Sequence, residues 1–307
     1  MALFRRGIHF GSYGSVDDGP AVFDRLTEAV ATAEAAGFDA VSVPDHVHQN
    51  QVGGGPDSPM FEAYTLLGAL ALSTSAVRLL ALVSPVTLRD PGLLAKAVTT
   101  LDVLSRGRAV LGVGAGWDAA ESEAYGIPFP ATGARFDRLE ESLAVCSELL
   151  TRQRATFSGK FYTLREARNS PRPVRGRVPV LVAGGGERRT LDLVARYGDA
   201  CNVFGGDAAE VRHKFDVLDG HCARVGRDPT EITRTVFVFD TGDLDAFAAG
   251  ARSWADAGAD GAIVVGPEDP ERIAAIGEVL AGVFPGLPGR TGLTRPLARR
   301  GRRRSAP

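Results

Sequence analysis

Three short stretches of this chain combine residue types and spacings that bear on chemistry. The first is "PDHVHQN", residues 44–50, which sets Asp45, His46 and His48 within four positions of one another. Two imidazoles spaced H-x-H suit zinc, but a metal-dependent hydrolase needs further His or Asp ligands from other segments. The chain has five histidines. His9 falls in a strand-like segment and His213 and His221 in a helical one, so no metal is expected. A histidine in a loop can instead donate a proton or bond an anionic cofactor or substrate, since its unperturbed pKa lies near neutrality. The competing reading is a loop histidine capped by Asp45 for structural reasons alone. Position favours a catalytic His46 and a structural His48.

The second stretch is "AGGGERR". Gly184, Gly185 and Gly186 allow backbone N–H groups to approach a ligand closely, and a helix begun by Glu187 and Arg188 offers its positive dipole end. Arg188 and Arg189 add charge. Three glycines are more than a simple connector requires, so a phosphate-bearing ligand is expected here.

The third stretch is "VLGVGAGWDAAESEAYG", residues 110–126. Gly112, Gly114 and Gly116 spell G-x-G-x-G. The dinucleotide fingerprint G-x-G-x-x-G needs a third glycine where Trp117 stands, and an acid about twenty positions further on. Residues 131–135 hold no acid, so that reading fails twice. Trp117 either packs on a flat ring or belongs to the core. Glu121, Glu123 and Arg135 are expected to cap and pair among themselves. No Ser-His-Asp arrangement, nucleophilic cysteine or close carboxylate pair emerges from spacing.

The elements that position these stretches alternate along the whole chain, the pattern of a parallel sheet with crossover helices. Strand-like segments are predicted at 8–10, 40–43, 77–83, 109–113, 180–183, 200–204, 232–239 and 262–265. Helical segments are predicted at 22–36, 61–72, 91–104, 135–150, 188–197, 208–225, 244–257 and 270–284. In the first helix Val22, Leu26, Ala29, Val30 and Ala33 form one apolar face. Eight of each fit an α/β fold of the (β/α)8 TIM-barrel type better than a doubly wound sheet, and the active site is then expected at the strand C-terminal ends. Residues 155–176, "ATFSGKFYTLREARNSPRPVRG", read as an irregular insertion with a hairpin before strand five.

Composition agrees with a globular enzyme-sized domain over 1–284. Hydrophobic residues make up 44% and charged residues 23% of the 307. No apolar run approaches the roughly 18 residues of a membrane span, and "MALFRRGIHFGSYG" lacks a signal-peptide core; a soluble, cytoplasmic protein is expected. The separated Cys146, Cys201 and Cys222 read as buried free thiols. Residues 285–307 hold seven arginines and no acid, leaving 28 of the 35 basic residues against 37 acidic ones in the body. That Arg-rich C-terminal tail is expected to be disordered. The expected partners are a small-molecule substrate and a second copy in a homodimer, with no nucleic acid and no membrane.

Four segments together carry a resemblance: "GFDAVSVPDH", "LDVLSRGRAVLGVGAGWDAAESEAYGIPFPATGARFDRLEESL", "TFSGKFYTL" and "AGGGERRTLDLVARYGDACNVFG". They resemble the luciferase-like monooxygenase superfamily, most of all its branch of deazaflavin (coenzyme F420)-dependent oxidoreductases. The resemblance implies a (β/α)8 barrel holding F420, or alternatively FMN, at its mouth. Gly184, Gly185 and Gly186 would take the cofactor phosphate, and Asn202 and Val203 would line the same pocket. A non-prolyl cis peptide behind the ring would fall near Ala81, Leu82 or Val83, with Leu82 and Val83 as cofactor contacts, and Gly114 and Gly116 would bring backbone close to the ring. His46 corresponds to a proposed proton donor or base. The sugar-phosphate dehydrogenase branch has a tryptophan and a glutamate where this chain has Asn50 and Trp117, which argues against a sugar-phosphate substrate. The implied function is F420-dependent hydride transfer to or from a small organic molecule; the alternatives are an FMN-dependent monooxygenase and a non-catalytic flavin-binding barrel.

Overall fold

The computed structural model describes residues 2–14 and 19–286. In chain order the elements are β1 (Arg6–His9), α1 (Gly19–Ala35), β2 (Ala40–Val43), α2 (Ala63–Ser73), β3 (Arg78–Ala81), β4 (Ser84–Pro85), α3 (Pro91–Leu104), β5 (Leu111–Gly114), α4 (Ala119–Ala124), α5 (Thr132–Thr151), β6 (Ala155–Ser158), β7 (Thr163–Ala167), β8 (Val180–Ala183), α6 (Thr190–Tyr197), β9 (Ala200–Phe204), α7 (Ala208–Val225), β10 (Thr233–Phe239), α8 (Leu244–Asp256), β11 (Gly261–Val265) and α9 (Pro270–Val283).

The main sheet runs β3-β2-β1-β11-β10-β9-β8-β5-β4, with neighbours parallel. Its two ends meet, because Leu79 in β3 bridges Ala109 in parallel. Leu79 N–H donates to the Arg108 carbonyl at 3.1 Å and its own carbonyl accepts from Val110 at 3.0 Å. The two-residue β4 continues β3 beyond a cis peptide between Leu82 and Val83. Eight barrel positions result, with helices outside, and the antiparallel β6–β7 hairpin is the expected insertion before the fifth of them. Among the described residues no helix is long and apolar enough to cross a membrane.

Alternate residues of a strand point to opposite faces, and the barrel separates them into two cores. Phe4, Ala40, Leu80, Val110, Leu181, Ala200 and Ile263 fill the interior, with Leu82, Val83, Ala183 and Phe237 packed above them. Their strand neighbours, such as Val41, Leu79, Leu111, Val182 and Val264, join the larger layer between sheet and helices. The face predicted for α1, Val22 through Ala33, is the face buried there. Asp90, Asp118, Asp207, Asp243 and Asp269 cap α3, α4, α7, α8 and α9 by accepting first-turn N–H groups. Such caps satisfy donors that a helix start leaves unpaired.

Several boundaries differ from expectation for identifiable reasons. The continuous strand predicted at 77–83 is divided by the cis peptide. Helix α4 is additional to the eight predicted helices: its segment is short, and no apolar periodicity announces it. α6 begins at Thr190 rather than 188, because residues 187–189 form a turn after the glycines. The tail expected to be disordered lies, from residue 287 onward, outside the described residues.

Leu80 is fully buried in the barrel interior, whereas Leu93 on α3 is 72% exposed. Leu80→Ala is therefore expected to lower unfolding free energy by about 2–5 kcal/mol through lost burial and the cavity left behind. Leu93→Ala should change it by less than about 0.5 kcal/mol. Urea unfolding of the two variants checks this, and equal effects would contradict the assignment of the interior core.

Candidate active site

The strand C-terminal ends form the mouth of the barrel, and side-chain alternation decides what lines it. From β1 comes His9, whose Nδ1 lies 3.0 Å from Ser42 Oγ of β2. From β9 and β10 come Asn202, Phe204, Phe237 and Phe239, the asparagine donating to Thr235 Oγ1 at 2.9 Å. His9 meets the Phe237 ring edge-on at 5.4 Å. Burial, and then the nearby His46, push the His9 pKa down to about 3, so this imidazole is neutral.

His46 stands just beyond β2. Its Nδ1 is 2.9 Å from Glu121 Oε2, and the other oxygen of that carboxylate accepts the Val47 N–H at 2.6 Å. Glu121 is only 2% exposed. It sits on α4, started by Asp118, whose Oδ1 accepts the Glu121 N–H at 3.0 Å. With Nδ1 engaged, Nε2 is the nitrogen free to exchange a proton with a ligand. Burial opposes charge on His46, but the hydrogen bond and charge of Glu121, followed by the charges of Asp118 and Asp45, outweigh it and raise the pKa above the usual 6.5. Glu121 shows the complement: burial alone would raise its pKa, and the contacts from His46, Val47 and His48 bring it below the ordinary carboxylate value.

Glu121 was expected to pair locally with Glu123 and Arg135, and the structure corrects this. Arg135 instead donates to the Pro130 carbonyl at 2.7 Å and lies over the Phe129 ring. A signal was present in the sequence, because Asp118 and Glu121 have the D-x-x-E spacing of a capping box. The partner across the loop was not foreseeable from that spacing. Asp45 likewise does not hold His46. It accepts from Ser84 Oγ at 2.6 Å and from Arg89 Nε at 3.0 Å, while Arg89 also reaches Glu62 at 2.6 Å. The Asp45–Arg89 pair ties the end of β2 to the segment after β4. His48 bonds the Gln49 carbonyl and stacks loosely near Tyr125, as a structural residue would.

His46, Asp118 and Glu121 offer donor atoms within 4.8 Å of one another. The contacts above account for them as a cap and an ion pair, with Glu121 using both oxygens. Trp117 is 64% exposed and meets His46 edge-on at 5.6 Å, so it belongs to the rim and not to the core.

The glycines of β5 have a reason other than a ligand. A Cβ on Gly112 would lie 2.0 Å from the Ala81 carbonyl oxygen, and one on Gly114 2.8 Å from Val83 Cγ2. The turned chain at Leu82–Val83 leans on β5, and only glycine leaves room. Gly116 has a φ of 80°, a left-handed conformation that favours glycine. Val203, expected to line the pocket, packs in the outer layer at 2% exposure, because its neighbour Asn202 takes the inward position.

After β8, Gly184 adopts a φ of 119° and donates to the Asn202 carbonyl at 2.9 Å. Gly185 has space beside it, the nearest atom to an added Cβ being Lys214 Cε at 3.7 Å. Lys214 and His213 on α7 pair with Glu187 at 2.5 and 3.3 Å. No side chain caps α6 at Arg189, and Leu191 N–H donates to the Gly186 carbonyl at 3.1 Å; a helix start without a side-chain cap favours an anion.

The raised pKa of His46 means that its ion pair stabilises the fold fully below about pH 6.5 and loses that contribution as pH rises through the folded value. The depressed Glu121 acts oppositely, its contribution being lost as pH falls through its own folded value. Glu121→Gln keeps an acceptor but removes the charge, so the His46 pKa is expected to fall toward or below 6.5. Titration of the His46 ring protons by NMR checks this, and an unmoved midpoint would contradict the electrostatic role given to Glu121.

Residues 5–243 match the family described as luciferase-like monooxygenase. The chain is 33% identical over 237 residues to the "F420-dependent glucose-6-phosphate dehydrogenase" of Kineococcus radiotolerans, covering 75% of this chain and 68% of that one. It is 30% identical to the protein of the same name from Microbacterium testaceum, covering 76% and 69%. In structure it resembles the coenzyme F420-dependent tetrahydromethanopterin reductase of Methanopyrus kandleri, with a TM-score of 0.75 at 18% identity over 92% of this chain and 99% of that one. A long-chain alkane monooxygenase gives the same TM-score at 15% identity, over 92% and 91%. The chain therefore belongs to the luciferase-like monooxygenase family and is an oxidoreductase.

Proposed function

We propose that this protein transfers a hydride between coenzyme F420 and a small organic substrate at the barrel mouth. The observation that carries the reading is one carboxylate-held histidine with a raised pKa, set at the rim of a mouth whose opposite walls are apolar. A deazaflavin, when bound, supplies the two-electron hydride chemistry. Leu82 and Val83 would back the ring, and the backbone of Gly114 and Gly116 would border it. The N–H groups of Gly185 and Gly186 would take a phosphate, while Gly184 N–H, donated to the Asn202 carbonyl, steadies that turn, and Lys214 lies alongside in its pair with Glu187. His46 Nε2 gives a proton to, or takes one from, the substrate oxygen, while Glu121 holds the ring in place and steadies its charge.

FMN offers a similar ring and a phosphate, and the likeness to the alkane monooxygenase keeps a reduced-flavin monooxygenase as the second reading. Two relatives sharing about a third of their sequence carry F420 in their names, which favours the deazaflavin. A side-by-side fluorescence titration of the purified protein with F420 and FMN decides between them. Tight FMN binding, indifference to F420 and oxygen consumption with reduced flavin would sink the first reading.

Two variants test the division of labour. His46→Ala is expected to reduce kcat by about 10²- to 10⁴-fold, the usual range for a general acid or base, with F420 affinity nearly unchanged. Equal losses in both would make His46 a binding residue only. Gly185→Val should fold normally, since there is room for the side chain, yet weaken F420 by roughly 10- to 100-fold through lost charge-assisted hydrogen bonds. Unchanged affinity would refute the phosphate site.

A further inference from the structure

Opposite the Leu82–Val83 wall stands a second apolar surface that the hydride chemistry itself does not require. Around the closed sheet β10 is four strands from β3 in either direction, so the two walls face each other across the mouth. Phe204 and Phe237 are paired in register on β9 and β10, and Phe239 follows two residues later on the same face. Their rings meet edge to face at 5.9 and 5.6 Å, and Phe237 is seated on His9 at 5.4 Å. Phe204 is 71% and Phe239 50% exposed, while the intervening Val236 and Val238 are buried on the helix side. Large aromatic side chains grouped in solvent at one end of a barrel mark a surface that something apolar covers.

The charges around this wall point the same way. The loops after β10 and β11 carry Asp240, Asp243, Glu268 and Asp269. Arg272 Nε donates to Asp240 at 2.8 Å, and Arg25 Nε to Glu268 at 3.3 Å, so these two arginines are already engaged by carboxylates. His9, beneath the rings, is neutral. A phosphate dianion entering on this side would meet carboxylates and phenyl rings.

We infer that the substrate half of the mouth takes an uncharged, apolar, ring-bearing organic molecule rather than a sugar phosphate, and that Phe204, Phe237 and Phe239 set this preference. The inference rests on reading the mouth as a hydride-transfer site, and it separates this chain from the relatives named for glucose 6-phosphate. The substrate's polar end would lie toward His46 and its hydrocarbon against the phenylalanines.

The test measures binding of cyclopentanone, cyclohexanone and cycloheptanone, and of glucose 6-phosphate, to the full chain with and without F420. Trp117 fluorescence in a Trp254→Phe background is the readout, because the chain has two tryptophans and Trp117 lies at the rim. Affinity is expected to rise about fourfold per added methylene, the factor that ~0.8 kcal/mol of methylene burial gives, with no saturable response to glucose 6-phosphate. Phe204→Ala and Phe239→Ala, both at exposed positions and so tolerable to the fold, should flatten that slope, while Leu93→Ala should not. Tighter binding of glucose 6-phosphate than of cyclohexanone, or a slope indifferent to both phenylalanine variants, overturns the inference. If F420 binds and the ketones give no slope, only the substrate inference fails. If the ketones behave as expected and F420 does not bind, the cofactor reading fails and the apolar site stands.

Discussion

A closed parallel sheet constrains what can line its mouth. Each strand sends alternate side chains inward, the lower inward positions fill the core, and the last ones at the C-terminal end face whatever enters. In this protein the lower layer is Ala40, Leu80, Val110, Leu181, Ala200 and Ile263. The residues above are then determined by a step of two: Leu82 over Leu80, Asn202 over Ala200, Phe237 and Phe239 along β10. A shift of one residue in any strand would exchange its mouth side chain for one from the helix layer. Val203 illustrates the rule, being adjacent to a mouth residue in sequence and on the far side of the sheet in space.

Closure also accounts for the glycines that first suggest a nucleotide loop. The chain between β3 and β4 presses toward β5, and the carbonyl of Ala81 and the methyls of Val83 occupy the volume a side chain at 112 or 114 would need. The turn after β8 differs. There the glycines lead into a helix start without a side-chain cap, beside Lys214, whereas α3, α4, α7, α8 and α9 begin with aspartate caps. Unlike the glycines of β5, which make room for Ala81 and Val83, Gly185 has space beside it.

The buried polar groups at the rim form two separate pairs with different tasks. Asp45 and Arg89 cross-tie the barrel wall, and the two hydrogen bonds of the guanidinium suit a fixed geometry. His46 and Glu121 hold each other charged, the carboxylate raising the imidazole's pKa and the imidazole lowering the carboxylate's. Adjacent acidic residues serve one purpose at a helix start and another at an imidazole, and Asp118 contributes to both. Across the mouth the aromatic ladder carries no charge and rests on a histidine that burial keeps neutral. The two sides of the opening thus divide into a rim that holds the His46–Glu121 pair and an apolar wall.

Much of the architecture was legible in the sequence because its signals are local. Alternating strand and helix patterns, the apolar face of α1 and the turn glycines all depend on residues a few positions apart, and the eightfold count followed from them. His46 and the glycine turn could be singled out because each sits directly after a predicted strand. What the sequence could not convey depends on closure. Glu121 reaches His46 across 75 positions, and Phe204 meets Phe237 across the register of two strands. Local patterning determined which elements form and which loops lie at the mouth. Only the tertiary structure decided which side chains meet there, because strand register and helix docking are set by the packing of the whole barrel and not by any one segment.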